Sequence, residues 1–351
     1  VVTLSELIGS SLMFGLRGCT LNEDVTRADV DALKGVKCKG VILFDHDIAG
    51  NHLRNVINPE QLQRFIADLR HELGSDLIVA VDQEGGAVAR LTQERGFLST
   101  VCAEEFAGWA EIDRRQYATN QAKQLRTLGI DLNLAPCVDL AIEPDSAIIA
   151  GKRRAFGEDH DTVVASASTV IECFGDIGVR CCIKHYPGHG STLIDTHMGM
   201  CDISETHSPD EERVYRTLID RFGDSIAVMA GHLSDKRVDD RLPASVSPAH
   251  LTGRLRGTLG FDGVIISDSI DMRAVRDRFG EGRAALMALM AGCDIVIDGF
   301  NAPGYREPGG QVRIVNTISE AIQSGRWGVG EERLANSRIR IDRFMGRVPT
   351  R

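Results

Sequence analysis

The stretch PEQLQRFIADLRHELGSDLIVAVDQE, residues 59–84, contains a helix pattern followed directly by a strand pattern. In its first half, four apolar residues follow the i, i+3, i+4, i+7 spacing that places side chains on one face of a helix. Its second half, LIVAVDQE, is a short β-branched run of the kind that forms a buried strand. A helix joined to a buried strand in this way is typical of a parallel sheet covered by helices. The four apolar residues are Leu62, Phe65, Ile66 and Leu69.

Seven further runs like LIVAVDQE are spread through the chain, and most are followed by a segment of helical period. Eight strand–helix units predict an α/β fold, a single (β/α)8 barrel of the TIM type, with an open doubly wound sheet as the competing fold. We expect one barrel domain over residues 1–351, since no linker or repeat interrupts the pattern. The only segment of helical period between the first two runs is residues 24–35, which predicts a short or irregular helix in the first unit. The eight runs are SLMFGLRG (11–18), GVILFD (40–45), LIVAVDQE (77–84), IDLNLAPCVDL (130–140), VRCCIKH (179–185), SIAVMAGH (225–232), GVIISDS (263–269) and CDIVIDGF (293–300).

The composition narrows the class of protein. Hydrophobic residues make up 43% of the chain and charged residues 26%, with a formal net charge of −10. These values are those of an ordinary globular protein, and the acidic balance argues against a nucleic-acid partner. No apolar run approaches the roughly 18 residues that a membrane helix needs, so no membrane partner is expected. Nine cysteines without a C-x-x-C pair indicate buried thiols in a reducing compartment. We therefore expect a cytoplasmic location, with a signal peptide removed from the N-terminus as the open alternative.

Polar residues end four of the eight runs. In a barrel of this kind, functional residues gather where strands end and the following loops begin, and a carboxylate there costs free energy unless it is partnered or used. Two of these residues have structural explanations: Asp268 could cap a helix that begins near Met272, and His232 could be a hydrogen-bonded core histidine. Four polar strand ends on one face nevertheless predict an active site. The four ends are Asp82-Gln83-Glu84-Gly85-Gly86, Lys184-His185, Gly231-His232 and Ser267-Asp268-Ser269.

The segment KHYPGHGSTLIDTH, residues 184–197, combines a lysine and three histidines with helix-breaking residues. Its proline and glycines exclude a continuous helix, so His185 and His189 cannot act like the two zinc ligands of H-E-x-x-H. We therefore expect no metal site here, and instead a long loop that folds over the barrel mouth. We assign His189 a structural role, in which its side chain bonds the loop backbone.

His197 lies on the same loop, two positions after Asp195. A carboxylate this close can accept the imidazole Nδ1 hydrogen, fix the tautomer and raise the basicity of the other nitrogen. The spacing predicts an orienting pair for proton transfer. The alternative is that this pair only holds the loop shut.

Long motifs occurring in this order resemble glycoside hydrolase family 3, in particular its single-domain β-N-acetylhexosaminidases of the type that acts in bacterial cell-wall recycling. The resemblance covers nearly the whole chain and implies a TIM-barrel catalytic domain. The matching stretches are GVILF (40–44), VDQEGGAVARL (81–91), GIDLNLAPCVDL (129–140), RAFG (154–157), KHYPGHGST (184–192), DTH (195–197), LGFDGVIISDS (259–269) and ALMAGCDIVI (288–297).

This resemblance implies a retaining mechanism in which Asp268 attacks the anomeric carbon and forms a covalent glycosyl-enzyme. It also implies that His197, assisted by Asp195, replaces the acid/base carboxyl that retaining glycosidases normally carry. Imidazole suits that part because it titrates near neutral pH. Five further residues are implied as sugar-binding groups, because charged side chains make strong hydrogen bonds to hydroxyls. They are Asp82, Arg90, Arg154, Lys184 and His185.

Two departures from the family pattern lie around the expected mouth. Relatives usually read G-H-G-D-T where this chain has Ser191, and they usually have Asn where it has Asp47. Both changes are expected to affect the preference for the leaving group more than the chemistry. We assign no role to Glu84, and we expect Arg153 to be solvated.

The resemblance implies an exo-acting β-N-acetylglucosaminidase that removes terminal N-acetylglucosamine from small amino-sugar conjugates such as muropeptide fragments, with no cofactor and no metal. A small carbohydrate is then its partner, and we expect a monomer or a weak homodimer. A β-glucosidase and a glycoside phosphorylase are alternatives within the family, since a histidine acid/base would not repel phosphate. More remote alternatives are a catalytically silent sugar-binding barrel and a metal-dependent barrel hydrolase. The latter would use His185, His189, His197 and Asp268.

Overall fold

The computed structural model describes residues 2–47, 52–192, 199, 201–301, 309–325 and 330–347. Within them, eight parallel strands form one sheet in which each strand pairs with the next along the chain and the first pairs with the last. A bridge between Ile266 and Ile295 closes the sheet into a barrel, so all eight predicted runs are barrel strands. The strands are β1 (Leu12–Gly15), β2 (Gly40–Leu43), β3 (Ile78–Val81), β4 (Leu132–Asn133), β5 (Arg180–Tyr186), β6 (Ala227–Ala230), β7 (Val264–Ser267) and β8 (Val296–Asp298).

Strand β3 shows why the runs are apolar at successive positions. Ile78 and Ala80 belong to the cluster of side chains inside the barrel. Val79 and Val81 belong to the larger cluster between the strands and the surrounding helices. A strand buried on both faces has no polar face, and the barrel interior is a packed core.

The helix that precedes β3 follows its sequence signals closely. Helix α3 (Pro59–Leu73) begins after Asn58, whose side chain accepts a hydrogen bond from the Gln61 N–H at 2.9 Å. Proline at its first position and Gly74 after its last residue are the expected start and stop signals. The four apolar residues predicted for its buried face are all buried.

The first unit is more regular than expected. Helix α2 (Asp24–Gly35) is a 12-residue α-helix, so the irregular form considered for this segment is not observed. Val30 and Leu33 are buried in the main core, and the carboxylate of Asp29 holds the backbone N–H and the guanidinium of Arg17. The buried face and this ion pair both stabilise the helix.

The other helices cover the outside of the barrel, and none of the helices in the described parts of the chain is long and apolar enough to cross a membrane. One of them is a π-helix, and α8 is short. They are α1 (Leu4–Ser10), α4 (Ala103–Ala107), α5 (Glu111–Leu128), α6 (His160–Ile177), α7 (Pro209–Phe222), the π-helix (Ala249–Thr258), α8 (Arg273–Phe279), α9 (Glu281–Ala291), α10 (Gly310–Ser324) and α11 (Glu331–Phe344).

Helix α11 is tied to the base of the barrel, the end at which the strands begin. Asp294, two positions before β8, is completely buried. Its carboxylate accepts hydrogen bonds from Arg256 at 2.5 Å and from Ser337 of α11 at 2.8 Å, and Arg333 lies 3.3 Å away. This ionic cluster stabilises the end of the barrel opposite the polar strand ends.

Candidate active site

A cavity of about 250 Å³ opens at the carboxyl ends of the strands, where a barrel of this type carries its functional groups. Six of the eight predicted site residues line it. Asp195 and His197 lie outside the described residues, so their roles stay predictions. Phe44, Leu134 and Met229 contribute apolar surface to the same cavity. The six lining residues are Asp82, Arg90, Arg154, Lys184, His185 and Asp268.

Four charged side chains form an ionic network on one wall of this cavity. The Lys184 ammonium, 3% exposed, lies 2.7 Å from the carboxylate of Asp82 and 2.7 Å from that of Glu84. The guanidinium of Arg154 donates two hydrogen bonds of 2.8 Å to the two oxygens of Glu84. Because this fork is bidentate, both side chains have a fixed orientation. The network presents charged donors and acceptors in a rigid arrangement.

The charges in this network hold one another in the ionised state. Burial alone would lower the pKa of Lys184, but the carboxylates of Asp82 and Glu84 raise it. Burial alone would raise the pKa of Glu84, but Arg154 and Lys184 hold it well below its usual range. Lys184 and Glu84 are therefore both charged at neutral pH, since each favours the ionised form of the other.

A second carboxylate, that of Asp139, orients the histidine of this wall. It is completely buried and lies 2.7 Å from Nδ1 of His185, while its other oxygen accepts the backbone N–H groups of His185 and His189. Nε2 of His185 lies 3.3 Å from Arg154. Burial opposes the charge of Asp139, but His185 and these hydrogen bonds keep its pKa low. Asp139 thus fixes the ring of His185 and presents Nε2 toward the cavity side.

Neither Glu84 nor Asp139 was predicted as a site residue. Asp139 stands near the end of the fourth predicted run, so it is a polar strand end like the four that predicted the active site. Glu84 belongs to one of those four ends, but no local signal indicates its role, because its partners Arg154 and Lys184 lie 70 and 100 positions away. Arg153, by contrast, is exposed as predicted and pairs with Glu104 at the surface.

Within the described residues, one group of three possible metal ligands lies close together: Cys137, Asp139 and His185. The carboxylate of Asp139 already accepts hydrogen bonds from both other members, and the Cys137 thiol lies 3.2 Å from it. Burial raises the pKa of that thiol, which disfavours a thiolate ligand. Asp268 is not a member of this group, so the described residues of the ligand set considered for a metal-dependent hydrolase do not form a metal cluster.

Asp268 follows β7 at the cavity floor, where its neighbour Ser269 fixes it. The Ser269 N–H donates a hydrogen bond of 2.8 Å to the Asp268 carboxylate, and the Ser269 carbonyl accepts Nε2–H of His232 at 2.8 Å. His232 is completely buried and its Nδ1 lies 2.7 Å from the Ser245 hydroxyl. His232 is therefore a hydrogen-bonded core histidine, the structural explanation that its sequence position allowed. Asp268 does not cap a helix, since α8 begins after Met272 without a side-chain cap.

The loop after β5 carries His189, which lines the cavity. Its Nδ1 lies 2.5 Å from the Thr192 hydroxyl. Within the described residues its side chain therefore bonds a side chain, whereas the prediction was a bond to the loop backbone. Burial lowers the pKa of His189 to about 4, so the ring is neutral at neutral pH. Behind this loop the carboxyl of Glu211, on α7, is 1% exposed. Burial and the charge of Asp139 raise the pKa of Glu211 to about 7.

This raised pKa predicts a pH-dependent stability difference between the protein and its Glu211→Gln variant. A raised pKa means that protonation stabilises the folded state fully below the unfolded pKa, and that this stabilisation is lost as the pH rises through 7. The free energy of unfolding of the unmodified protein, relative to the variant, should fall by about 2–3 kcal/mol between pH 5 and pH 8. Urea unfolding of both proteins at the two pH values measures this difference; equal differences at both pH values would contradict it.

Comparison with known proteins places this barrel in a family. Residues 17–344 match the model of the glycosyl hydrolase family 3 N-terminal domain. The beta-hexosaminidase LpqI of Mycobacterium tuberculosis is 37% identical over 233 residues, which cover 63% of this chain and 58% of that protein. The beta-hexosaminidase of Actinobacillus succinogenes is 30% identical over 325 residues, which cover 88% of this chain and 84% of that protein.

A solved structure extends the similarity to the fold. A glycoside hydrolase family 3 β-N-acetylglucosaminidase from Paenibacillus sp. superposes with a TM-score of 0.85 at 29% identity, covering 99% of this chain and 63% of that one. The chain thus spans less than two thirds of the length of several of the relatives that it matches. Since the family model matches nearly the entire sequence, the chain belongs to glycosyl hydrolase family 3 and contains the N-terminal domain of that family.

Proposed function

We propose that the protein is a retaining, exo-acting β-N-acetylhexosaminidase that removes terminal β-linked N-acetylglucosamine. The observation that carries this proposal is the convergence of Asp268, the Lys184 network and His185 on one cavity. A cavity of about 250 Å³ has room for a single sugar residue. The names of the relatives, beta-hexosaminidase and β-N-acetylglucosaminidase, support the same activity.

In the proposed reaction, the Asp268 carboxylate attacks the anomeric carbon while His197 donates a proton to the leaving oxygen. The product is a covalent glycosyl-Asp268 intermediate. Water, deprotonated by the same histidine, then attacks the anomeric carbon and releases the sugar with its configuration retained. The Ser269 N–H holds one oxygen of Asp268, so the carboxylate is oriented before the substrate arrives. Asp195 would fix the tautomer of His197.

The sugar hydroxyls would be held by the charged wall of the cavity. Asp82 offers carboxylate oxygens as acceptors, and Arg90 lies 3.8 Å from it. Arg154 and Lys184 offer charged donors that their carboxylate partners keep in place. Such hydrogen bonds are directional and fix the ring against Asp268. We propose small amino-sugar conjugates, such as muropeptide fragments, as the substrates.

Turnover of an aryl β-N-acetylglucosaminide tests this function directly. Release of the β-anomer of N-acetylglucosamine, followed by NMR at early times, is the expected result for a retaining hydrolase. Three parallel assays test the alternatives. Preferred cleavage of a β-glucoside indicates a β-glucosidase, and formation of a sugar phosphate when phosphate is added indicates a phosphorylase. Loss of activity in a chelator, restored by zinc, indicates a metal enzyme. Measurable sugar binding without turnover of any substrate would indicate a silent binding barrel.

The role of His197 predicts a dependence on the leaving group. In His197→Ala, kcat/KM for a phenyl glycoside should fall by about 10²- to 10⁴-fold, because the phenolate oxygen needs a proton. A dinitrophenyl glycoside needs little protonation, so its kcat/KM should change far less. Azide should accelerate turnover of the dinitrophenyl substrate, because it attacks the intermediate without a general base. Equal losses on both substrates would show that His197 is not the acid.

A further inference from the structure

The Glu211 carboxyl is buried, yet nothing in the proposed reaction uses it. Glu211 is the third residue of α7 and completes a capping box with Ser208, whose backbone N–H donates to one of its oxygens at 3.2 Å. Its other oxygen faces away from the helix and accepts the backbone N–H of Gly190 at 2.7 Å. One carboxyl thus joins the start of a helix to the loop that follows β5.

The loop fits tightly against this carboxyl. Gly188 has a φ of 138°, and a Cβ atom at this position would lie 2.6 Å from the Glu211 side chain. On the other side, a Cβ atom at Gly190 would lie 1.9 Å from the Leu140 carbonyl oxygen. Any side chain at either glycine would therefore push the loop away from its supports. The close approach explains why both positions are glycine.

Two carboxyls, one with a lowered and one with a raised pKa, accept hydrogen bonds from consecutive N–H groups of this loop. The His189 N–H donates to Asp139 at 2.8 Å, and the next one, of Gly190, donates to Glu211. Asp139 also orients His185, so it belongs to the sugar-binding wall. Among the residues that the structure describes, Glu211 has no such second partner in the cavity. The Ser191 hydroxyl lowers the pKa of Glu211, but the two side chains do not form a hydrogen bond of normal geometry.

We propose that Glu211 is a positioning residue that sets the path of the chain from Gly188 to Thr192, and through it the proton transfer at the proposed acid/base His197. The inference rests on the proposed function. Gly190 and Thr192 lie just before the segment that carries Asp195 and His197 in the sequence, and Thr192 is itself held by His189. A small displacement of a catalytic group reduces the rate strongly, because proton transfer needs hydrogen-bond geometry.

The test compares Glu211→Ala and Glu211→Gln on the phenyl and dinitrophenyl glycosides. For Glu211→Ala we expect kcat/KM to fall by about 10- to 100-fold on the phenyl glycoside and by less than about threefold on the dinitrophenyl glycoside. Glu211→Gln keeps the shape and one acceptor, so its loss should be smaller and of the same pattern. It also keeps the test valid if the alanine variant does not fold.

Ser208→Ala is the matched control, because it removes the side-chain cap of α7 without touching the loop. It should lower the thermal unfolding temperature and leave the ratio of the two kcat/KM values unchanged. Equal losses on both substrates in the Glu211 variants, or the same leaving-group pattern in Ser208→Ala, would overturn the proposal. If His197→Ala itself lacks the pattern, the acid/base assignment fails and this inference fails with it. If His197→Ala loses more activity on the phenyl than on the dinitrophenyl glycoside and the Glu211 variants do not, only the role of Glu211 is overturned.

Discussion

Replacing Asp268 by alanine should lower kcat on an aryl β-N-acetylglucosaminide by about 10⁴- to 10⁶-fold, the range found when a catalytic nucleophile is removed. The loss should be the same for good and poor leaving groups, because without a nucleophile neither can form the covalent intermediate. A stopped assay with purified protein at high concentration measures the residual rate. Incubation with a 5-fluoro glycosyl fluoride, followed by intact-mass spectrometry, should add one sugar mass to the unmodified protein and none to the variant.

Asp294→Asn provides the matched control for this prediction. Asp294 is also a buried carboxylate, but it lies at the base of the barrel, where it contacts Arg256 and Ser337. Its substitution should lower the free energy of unfolding and leave kcat within a few fold of the unmodified protein. Normal turnover by Asp268→Ala would refute the nucleophile assignment, as would labelling of a different residue.

Replacing Lys184 by methionine should lower the free energy of unfolding by about 3–5 kcal/mol and abolish turnover, since removal of one partner leaves buried charge uncompensated. Methionine has a side chain of similar length, so the loss of stability measures the contribution of the ammonium group. Glu84 retains Arg154, whereas within the described part of the chain Asp82 keeps only Arg90 at 3.8 Å. Urea unfolding at pH 7 measures the stability. The deficit should shrink as the pH falls, because the stranded carboxylates can then take up protons.

Lys152 is the control for this substitution, since it lines the same cavity but is exposed and outside the ionic network. Lys152→Met should change the free energy of unfolding by no more than about 0.5 kcal/mol, as is usual for surface positions. A Lys184→Met variant as stable as the unmodified protein would show that the network contributes little to folding. It would also remove the argument that Lys184 is held rigidly for sugar binding.

The barrel was predictable because its strands are buried on both faces and therefore stand out as continuous apolar runs. The helix of residues 59–73 was predictable for a related reason, since Asn58, Pro59 and Gly74 mark its ends by local chemistry. Helix α2 was less predictable. One of its tertiary contacts is the pairing of Asp29 with Arg17, 12 positions earlier, which no local pattern indicates.

In the candidate site, the sequence predicted which residues meet but not how they pair. Strand ends on one barrel face must converge, so the strand pattern alone places Asp82, Lys184 and Asp268 together. The choice of partner depends on side-chain direction and loop path. No local sequence pattern therefore indicates the role of Glu84, although it contacts both Arg154 and Lys184. His189 was assigned to the loop backbone because the proximity of Thr192 depends on a turn that the sequence does not specify.

The pairing of the first strand with the last has a consequence for how the chain is made. Residues 12–14 of β1 pair with residues 296–298 of β8. During synthesis, β1 can pair with β2 early, but its other edge stays open until nearly the whole domain has left the ribosome. An open strand edge is a template for pairing with another chain. Nascent barrels of this kind are therefore at risk of joining one another until the final strand arrives, and slow release or truncation before Val296 should favour aggregation over folding.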